Sequence, residues 1–165
     1  MSGAGNGLPY RPCVGAVVFN RHGDVLVARR RDTPGDAWQL PQGGIDRGED
    51  AVEALKREMK EEIGTDNFEI LAECPDWLTY DLPSDLVGRA FKGRYRGQKQ
   101  RWFAVRFLGE DAEIDVASTS HPEFDAWKWV PIGDVTDLAV HFKRDVYAAV
   151  VRAFGPVAGS LAANR

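Results

Sequence analysis

The sequence predicts a single α/β domain in which short strands are mixed with two helices. The chain has 165 residues, which is enough for one domain with a substantial core. Several short apolar runs separated by turn residues are typical of strands, and two longer stretches carry the apolar period of a helix. Strands mixed with two helices favour an α/β sandwich, although residue propensity alone leaves its topology open.

The first part of the chain predicts a β-hairpin and a short third strand. Residues 14–20 and 25–28 are apolar runs, and the turn signal Arg-His-Gly-Asp separates them. Residues 31–37 contain a proline and a glycine, which favour a loop. Residues 38–40 predict a brief strand, which Pro41 and the pair Gly43 and Gly44 would end.

An amphipathic helix follows, with a start signal and a stop signal. Asp50 is a candidate N-cap, and Glu53 stands three residues later, as in a capping box. Gly64 is a typical residue for ending a helix. The apolar stripe between these signals has spacings of 3, 4 and 4 residues and consists of Val52, Leu55, Met59 and Ile63.

The second half of the chain predicts more strands, a basic loop and a second helix. Strands are predicted at residues 68–72, 77–80, 100–108 and 127–130, and segment 83–97 is predicted to be a long exposed loop. Residues 135–154 have a helical pattern, whereas residues 155–165 are small and polar. We therefore expect one domain over residues 9–154, with flexible tails at residues 1–8 and 155–165.

The formal net charge is −4, but the charge is distributed unevenly along the chain. Residues 89–106 contain seven Lys or Arg and no Asp or Glu, so this run is either a basic surface for a polyanion or a solvated loop. The first residues lack a signal-peptide pattern, and no apolar run reaches about 18 residues. These features predict a cytoplasmic protein with no membrane partner. Cys13 and Cys74 are far apart, so we expect two free thiols.

Acidic residues crowd segment 43–64, in which a glycine turn precedes the helix. Glu58 and Glu62 are four residues apart and flank the apolar stripe on one helix face, while Glu61 lies farther out. Like charges on one face repel each other, and a hard cation between them would remove that cost. Carboxylates suit Mg²⁺ or Mn²⁺, whereas zinc would prefer His or Cys. The alternative is a solvated helix face whose acids pair with neighbouring basic residues.

Three neighbouring residues could support such a cation site. Arg57 stands four residues before Glu61 and could orient the acids around it. Glu49 lies in the loop that enters the helix. Gly43 has no side chain, so the backbone there could closely approach a metal or a phosphate.

The order of these residues resembles the Nudix box. Gly43 is followed after five residues by Glu49, and after seven more by the run Arg-Glu-Met-Lys-Glu-Glu-Ile-Gly at residues 57–64. Thr65 departs from the family pattern, which prefers an aliphatic residue there, and this change concerns packing more than chemistry. Further motifs resemble the bacterial RNA pyrophosphohydrolase branch, also described as dinucleoside polyphosphate hydrolases. These motifs lie at residues 10–12, 14–15, 38–44, 97–103, 122–125 and 142–147.

The resemblance covers nearly all of residues 10–154 and is weakest at 31–37 and 84–96. It implies a Nudix-type α-β-α sandwich with a central mixed sheet, in which the box forms a loop, a helix and a loop. It also implies a hydrolase that removes pyrophosphate from 5′-triphosphorylated RNA, leaves a 5′-monophosphate and so promotes mRNA decay. The alternative is the same chemistry on dinucleoside polyphosphates such as diadenosine tetraphosphate or pentaphosphate. A third hypothesis, an inactive nucleotide- or RNA-binding module, is disfavoured by the intact set of acids.

The resemblance further implies roles for individual residues. A divalent metal, Mg²⁺ with Mn²⁺ or Zn²⁺ as substitutes, would be held by a backbone carbonyl at Gly43 or Gln42 and by the carboxylates of Glu58, Glu62, Glu61 and Glu123. The catalytic candidates are Glu61, Glu123 and Arg57, and the sequence does not decide which of the two acids is the general base. The substrate-binding candidates are Arg11, Arg30 and Lys143 for phosphates and Phe142 for stacking on a base. We expect a monomer, and a protein activator is compatible with this interpretation.

Overall fold

A computed structural model describes residues 7–31, 37–117 and 122–163 of the chain. The strands in these ranges are β1 Tyr10–Phe19, β2 Val25–Arg30, β3 Trp38–Gln39, β4 Gln42–Gly44, β5 Phe68–Glu73, β6 Leu78–Asp81, β7 Gly97–Phe107 and β8 Phe124–Val130. The helices are α1 Ala51–Ile63, α2 Val135–Leu138 and α3 Arg144–Ala163. Most of the predicted tail at residues 1–8 and of the predicted loop at 31–37 lies outside the described residues.

One mixed sheet is built around β1 and β7. These two strands run parallel from the pair Tyr10 and Gly97 to the pair Phe19 and Arg106. The other side of β1 is shared by two antiparallel strands, since β4 pairs near its start and β2 pairs at its end. The strands β3 and β8 flank β2, and β5 and β6 lie along the other side of β7.

Helices cover both faces of this sheet and form two separate cores. On one face α1 packs through Leu55 and Met59 against alternate residues of β1, such as Val14. On the other face α3 packs through Tyr147 and neighbouring apolar residues against Trp102 and the remaining residues of β1. Alternate residues of one central strand therefore serve two cores, as the two-residue repeat of a strand requires. The predicted α-β-α sandwich with a mixed sheet is confirmed.

Helix α1 begins and ends at the predicted residues. The Asp50 side chain accepts a hydrogen bond of 2.8 Å from the Glu53 amide, and Gly64 adopts a left-handed φ of 81° at the C-cap. The predicted apolar stripe is wrong at Val52, which is 39% exposed. The buried side of α1 includes Ala54 and Glu62 instead, so it is rotated away from Val52 and towards the acids.

Two predictions about where a strand and a helix end are wrong. Gly43 and Gly44 do not end the third strand, because they form β4 and pair with Val14 and Cys13 of β1. The second predicted helix does not end at residue 154, because α3 continues to Ala163 and buries Ala158 against the core. Composition alone suggested a tail, but packing of the helix face stabilises this segment.

The predicted helix at 135–154 is divided into three pieces. Ala139 and Val140 adopt extended ψ angles of 152° and 144°, which end α2. A 3₁₀ turn at His141–Lys143 follows, and α3 then begins at Arg144. This break moves Phe142 and Lys143 out of the long helix and into the turn before it.

Residues 83–97 are predicted to be a long exposed loop, but Gly97 begins β7 and segment 83–96 is partly folded onto the α3 side of the sheet. Leu86, Ala90 and Phe91 are half-buried and pack against that core. Ala90–Gly93 forms a 3₁₀ segment in which Phe91 and Lys92 have positive φ angles of 53° and 58°. Both are unusual for residues that carry a side chain.

One helical stretch among the described residues, His141–Ala163, is long and apolar enough to cross a membrane by length and composition, with a mean hydropathy of 1.4. The helix of a globular core passes the same test. Here Val146, Tyr147, Val150 and Phe154 are buried against the sheet. This contact is what a core helix makes.

Candidate active site

The glycines of β4 allow the acids of α1 to approach the sheet. A Cβ atom on Gly43 would overlap the carboxylate of Glu58, so that only glycine fits at this position without a shift of Glu58. One turn further along α1, Glu62 Oε1 accepts a hydrogen bond of 2.6 Å from the amide of Gln42. The backbone of β4 therefore contacts both carboxylates that the sequence singled out.

Arg57 connects the acidic helix to the loop before it. Its Nε and Nη2 atoms donate hydrogen bonds of 2.9 and 2.8 Å to Glu49, and Nη2 also donates to the Gly44 carbonyl at 2.8 Å. Nη1 donates to Glu58 at 2.7 Å. The hydrogen bonds from Arg57 and from the Asp46 amide lower the pKa of Glu49 to about 2. In turn, the carboxylates of Glu49 and Glu58 raise the pKa of Arg57. The network fixes the direction of the Glu58 side chain.

The remaining two acids, Glu61 and Glu123, differ in position. Glu61 is 56% exposed, and its carboxylate is 3.7 Å from Arg57 Nη1. Glu123 precedes β8 in the sequence, and its carboxylate lies close enough to Glu62 for its negative charge to raise the pKa of Glu62. Arg30 Nη1, at the end of β2, lies 3.7 Å from Glu123 Oε2. Glu123 therefore lies near both an acid and a cation of the site, although its side chain, 52% exposed, is nearly as open to solvent as that of Glu61.

Three of the predicted metal ligands form what we term the acid cluster, which consists of Glu58, Glu62 and Glu123. Glu58 and Glu62 come from consecutive turns of α1 and contact β4. Glu123 is distant from both in the sequence, and the fold brings it to Glu62. The acid cluster therefore depends on the position of Glu123 just before the start of β8.

Burial governs the charge states of Glu58 and Glu62 in the acid cluster. Glu62 is 8% exposed, and burial, followed by the negative charge of Glu123, raises its pKa well above the usual value. Burial also raises the pKa of Glu58, although the hydrogen bond from Arg57 opposes this shift. Two neighbouring acids that are largely removed from water, as Glu58 and Glu62 are, are costly to ionise without a cation.

The acid cluster suits a hard divalent cation by its chemistry. Its donors are carboxylate oxygens beside the β4 backbone, and Gly43 leaves room for the Glu58 carboxylate that a larger side chain would displace. Among residues 7–31, 37–117 and 122–163, no three His, Cys, Asp or Glu side chains already form a group that could hold a metal ion. Glu58 is instead turned onto Arg57, and Glu62 onto the Gln42 amide. The donor types fit a hard divalent cation.

A cavity of about 470 Å³ lies on the α3 side of the sheet, and we term it the aromatic pocket. Its walls come from β2, β3, β6, segment 83–96 and the turn before α3, and include Arg30, Trp38, Tyr80, Phe91, Phe142 and Lys143. The rings of Tyr80 and Phe142 lie 5.6 Å apart. The structure therefore brings three of the predicted substrate-binding residues to one cavity.

Lys143 is the buried cation of the aromatic pocket. It is 9% exposed, and its Nζ atom lies 3.5 Å from Gln39 Oε1. Burial and the positive charge of Arg30 lower the pKa of Lys143 to about 8, while Glu62 and Glu123 oppose this shift. A cation that is poorly hydrated in this way is suited to an anionic ligand.

Arg11, the fourth predicted substrate-binding residue, lies between the aromatic pocket and the acid cluster. Its guanidinium group is packed against the backbone of Gly44, where a Cβ atom would overlap it. Its Cζ atom lies 5.0 Å from the centre of the Phe91 ring, and its charge opposes the rise in the pKa of Glu58. The four predicted substrate-binding residues thus lie in or beside the aromatic pocket.

Two features of the site were not predicted from the sequence. The buried side chains of Gln98 and Gln100 form a chain of hydrogen bonds to Gln42, with distances of 3.0 and 2.6 Å. Tyr147 accepts a hydrogen bond of 3.0 Å from the Leu40 amide and so supports the segment between β3 and β4. Alternating glutamines in a predicted strand were the available signal for the first feature, since polar residues at every second position share one face.

Known sequences agree with this geometry. A family model described as the NUDIX domain matches residues 9–150. The RNA pyrophosphohydrolase of Rhodospirillum rubrum is 57% identical over 145 residues, which cover 88% of this chain and 87% of that protein. The RNA pyrophosphohydrolase of Gluconacetobacter diazotrophicus is 53% identical over 154 residues, with 89% and 92% covered.

Solved structures show the same fold. The dihydroneopterin triphosphate pyrophosphohydrolase of E. coli matches with a TM-score of 0.67 and 25% identity, covering 88% of this chain and 99% of that one. A binary complex of the C. elegans Ap4A hydrolase matches with a TM-score of 0.62 and 21% identity, covering 88% and 98%. These likenesses support the fold of the sheet and helices.

Proposed function

This chain belongs to the Nudix family, and from that premise we propose that it removes pyrophosphate from the 5′-triphosphate end of RNA and leaves a 5′-monophosphate. The observation that carries the proposal is the position of the acid cluster beside a pocket lined by cations and aromatic rings. Relatives named RNA pyrophosphohydrolase, with identities of 53% and 57%, support the choice of substrate. In the cell this reaction would promote mRNA decay.

We propose that Glu58, Glu62 and Glu123, with the backbone carbonyl of Gly43 or Gln42, hold Mg²⁺. A bound Mg²⁺ would neutralise charge on the polyphosphate and lower the pKa of a water molecule. Its presence would also favour the ionised forms of Glu58 and Glu62, whose pKa burial now raises. Mn²⁺ fits the same oxygen donors, whereas Zn²⁺ fits them less well.

Arg57 would act by positioning the acids. It holds Glu49 and Glu58 at once and is tied to the Gly44 carbonyl, so that it links the loop, the strand and the helix. For the general base we favour Glu123 over Glu61. Glu123 lies near the buried Glu62 and near Arg30 of the aromatic pocket, whereas Glu61 lies near Arg57.

The cations and rings would bind the RNA. Arg11, Arg30 and Lys143 would contact the phosphates, since guanidinium and ammonium groups near one another suit a polyanion. Phe142 would stack on a base at the mouth of the aromatic pocket, a contact that tolerates different bases. The acids would then lie at one end of the triphosphate and the ring at the other.

The second candidate is hydrolysis of dinucleoside polyphosphates such as diadenosine tetraphosphate. Such a substrate also presents a base next to a chain of phosphates, so the same pocket and acid cluster could hold it. A direct comparison separates the two candidates. The purified protein is incubated with γ-labelled triphosphorylated RNA and with diadenosine tetraphosphate at equal, low concentrations in Mg²⁺. We expect faster release of label from RNA, and consumption of the dinucleotide while the RNA end stays intact would overturn the proposal.

A further inference from the structure

We propose that Phe91 is a positioning residue for Arg11 and thereby sets how tightly the substrate phosphates are held. The inference rests on the proposed function, since it takes Arg11 as a phosphate-binding residue. The Phe91 ring lies 5.0 Å from Arg11 Cζ, which is within the range of a cation–π contact. Phe91 also lines the aromatic pocket, so the contact lies at the proposed binding site.

Arg11 has few other restraints on its side chain. One nitrogen, Nη1, lies 3.7 Å from Cys13 Sγ, which is a weak partner. Among the described residues, no carboxylate lies within ion-pair distance of Arg11. A long side chain without a strong partner loses much conformational freedom when it binds a ligand. The ring of Phe91 and the backbone of Gly44 therefore decide how far Arg11 is ordered beforehand.

The backbone that carries Phe91 is held in an unfavourable conformation. Phe91 and Lys92 both have left-handed φ angles, of 53° and 58°. Such conformations persist when their surroundings hold them, and they cluster at functional sites. Here the Ala90 amide donates to the Leu86 carbonyl at 2.9 Å, and the Arg94 amide donates to the Phe91 carbonyl at 3.2 Å. The turn keeps the ring on Arg11 at a conformational cost.

A role in positioning predicts an effect on binding rather than on the chemical step. Phe91 contacts Arg11, which lies near the acid cluster but is not one of the proposed metal ligands. Ordering Arg11 before the substrate arrives lowers the entropic cost of binding. Loss of the ring should therefore raise KM and leave kcat nearly unchanged.

Steady-state kinetics on triphosphorylated RNA test this inference. Phe91→Ala is expected to raise KM about 3- to 10-fold with kcat within about 2-fold, the size of one cation–π contact. Phe91→Trp should restore the wild-type KM, and Phe91→Ala should have no further effect in an Arg11→Ala background. Trp77→Ala is the matched control, since Trp77 also contacts two cations but lies outside the pocket. An unchanged KM in Phe91→Ala, or an equal rise in both backgrounds, overturns the proposal.

A measurement without substrate separates this inference from the proposed function. If the wild-type protein releases no pyrophosphate from RNA, the proposed function fails. The contact itself is then tested by NMR of the Arg11 guanidinium protons, which the ring current of Phe91 should shift upfield. Phe91→Ala should abolish that shift, and Trp77→Ala should preserve it. An Arg11 signal that is the same with and without the Phe91 ring overturns the contact.

Discussion

The acid cluster and the aromatic pocket lie side by side, but the chain assembles them in different ways. Two of the three clustered acids, together with Arg57 and Gly43, come from one continuous segment, 43–62. The pocket instead draws its walls from β2, β3, β6, segment 83–96 and the turn before α3. Most of the acid cluster therefore comes from one short segment of the sequence, whereas the aromatic pocket depends on contacts between distant segments.

The two regions also show how burial acts on opposite charges. Burial raises the pKa of Glu62 and lowers that of Lys143, because in both cases the charged form loses hydration. Each region is thus suited to a partner of the opposite charge. A bound cation would offset the cost of burying the ionised acids, and a bound phosphate would offset the cost of burying the charged lysine.

The largest expected effect breaks the acid cluster. Glu62→Gln should lower kcat about 10³-fold, or about 4 kcal/mol of transition-state stabilisation, since an amide binds a hard cation poorly. The measurement is release of pyrophosphate from triphosphorylated RNA in Mg²⁺. Glu69→Gln changes an exposed acid of β5 and should retain full activity. Unchanged turnover in Glu62→Gln would contradict its proposed role as a ligand.

A smaller effect, on KM for RNA, should come from deprotonation of Lys143 in the aromatic pocket. The pKa of Lys143 is lowered to about 8, so this side chain loses its charge as the pH rises through that value. KM for RNA is expected to increase up to about 10-fold between about pH 7 and about pH 9.5, because the substrate would lose one charge-assisted hydrogen bond from Lys143. Lys143→Met should show a high KM that does not vary with pH in this range. Lys60→Met, at an exposed site, should keep the wild-type profile.

Deprotonation of Lys143 should weaken RNA binding, but it should increase the stability of the fold. Folded Lys143 binds its proton more weakly than an unfolded lysine, whose pKa is 10.5. The cost of burying the cation is therefore fully present below about pH 8, and the free energy of unfolding should rise towards about pH 10.5. Denaturant titrations of wild type and Lys143→Met across this range measure the difference.

The smallest expected effect concerns the turn at the pocket wall. Lys92→Gly removes a side chain from a residue with a φ of 58° and should stabilise the fold by about 0.5–1 kcal/mol. Urea unfolding measures this change, with Lys56→Gly in the exposed face of α1 as a control that should lose stability by about 1 kcal/mol. A loss of stability in Lys92→Gly would show that the turn is not strained.

Much of the fold could be predicted because its signals are local. The boundaries of α1 follow from Asp50 and Gly64, whose capping contacts lie within a few residues of them. The hairpin of β1 and β2 and the strand β7 follow from apolar runs and turn residues. Local patterns failed at Gly43 and Gly44, since a glycine pair looks like a break unless the partner strand is known.

The sequence by itself determined the set of acids, the helix that carries two of them and the resemblance to the Nudix family. Only the tertiary structure decided that Glu62 is buried, that Glu123 lies near it and that Phe91 packs on Arg11. The physical reason is the range of the interactions. Helix caps and apolar periods act over a few residues, whereas burial and the pKa shifts it causes arise when distant segments exclude water from the same place.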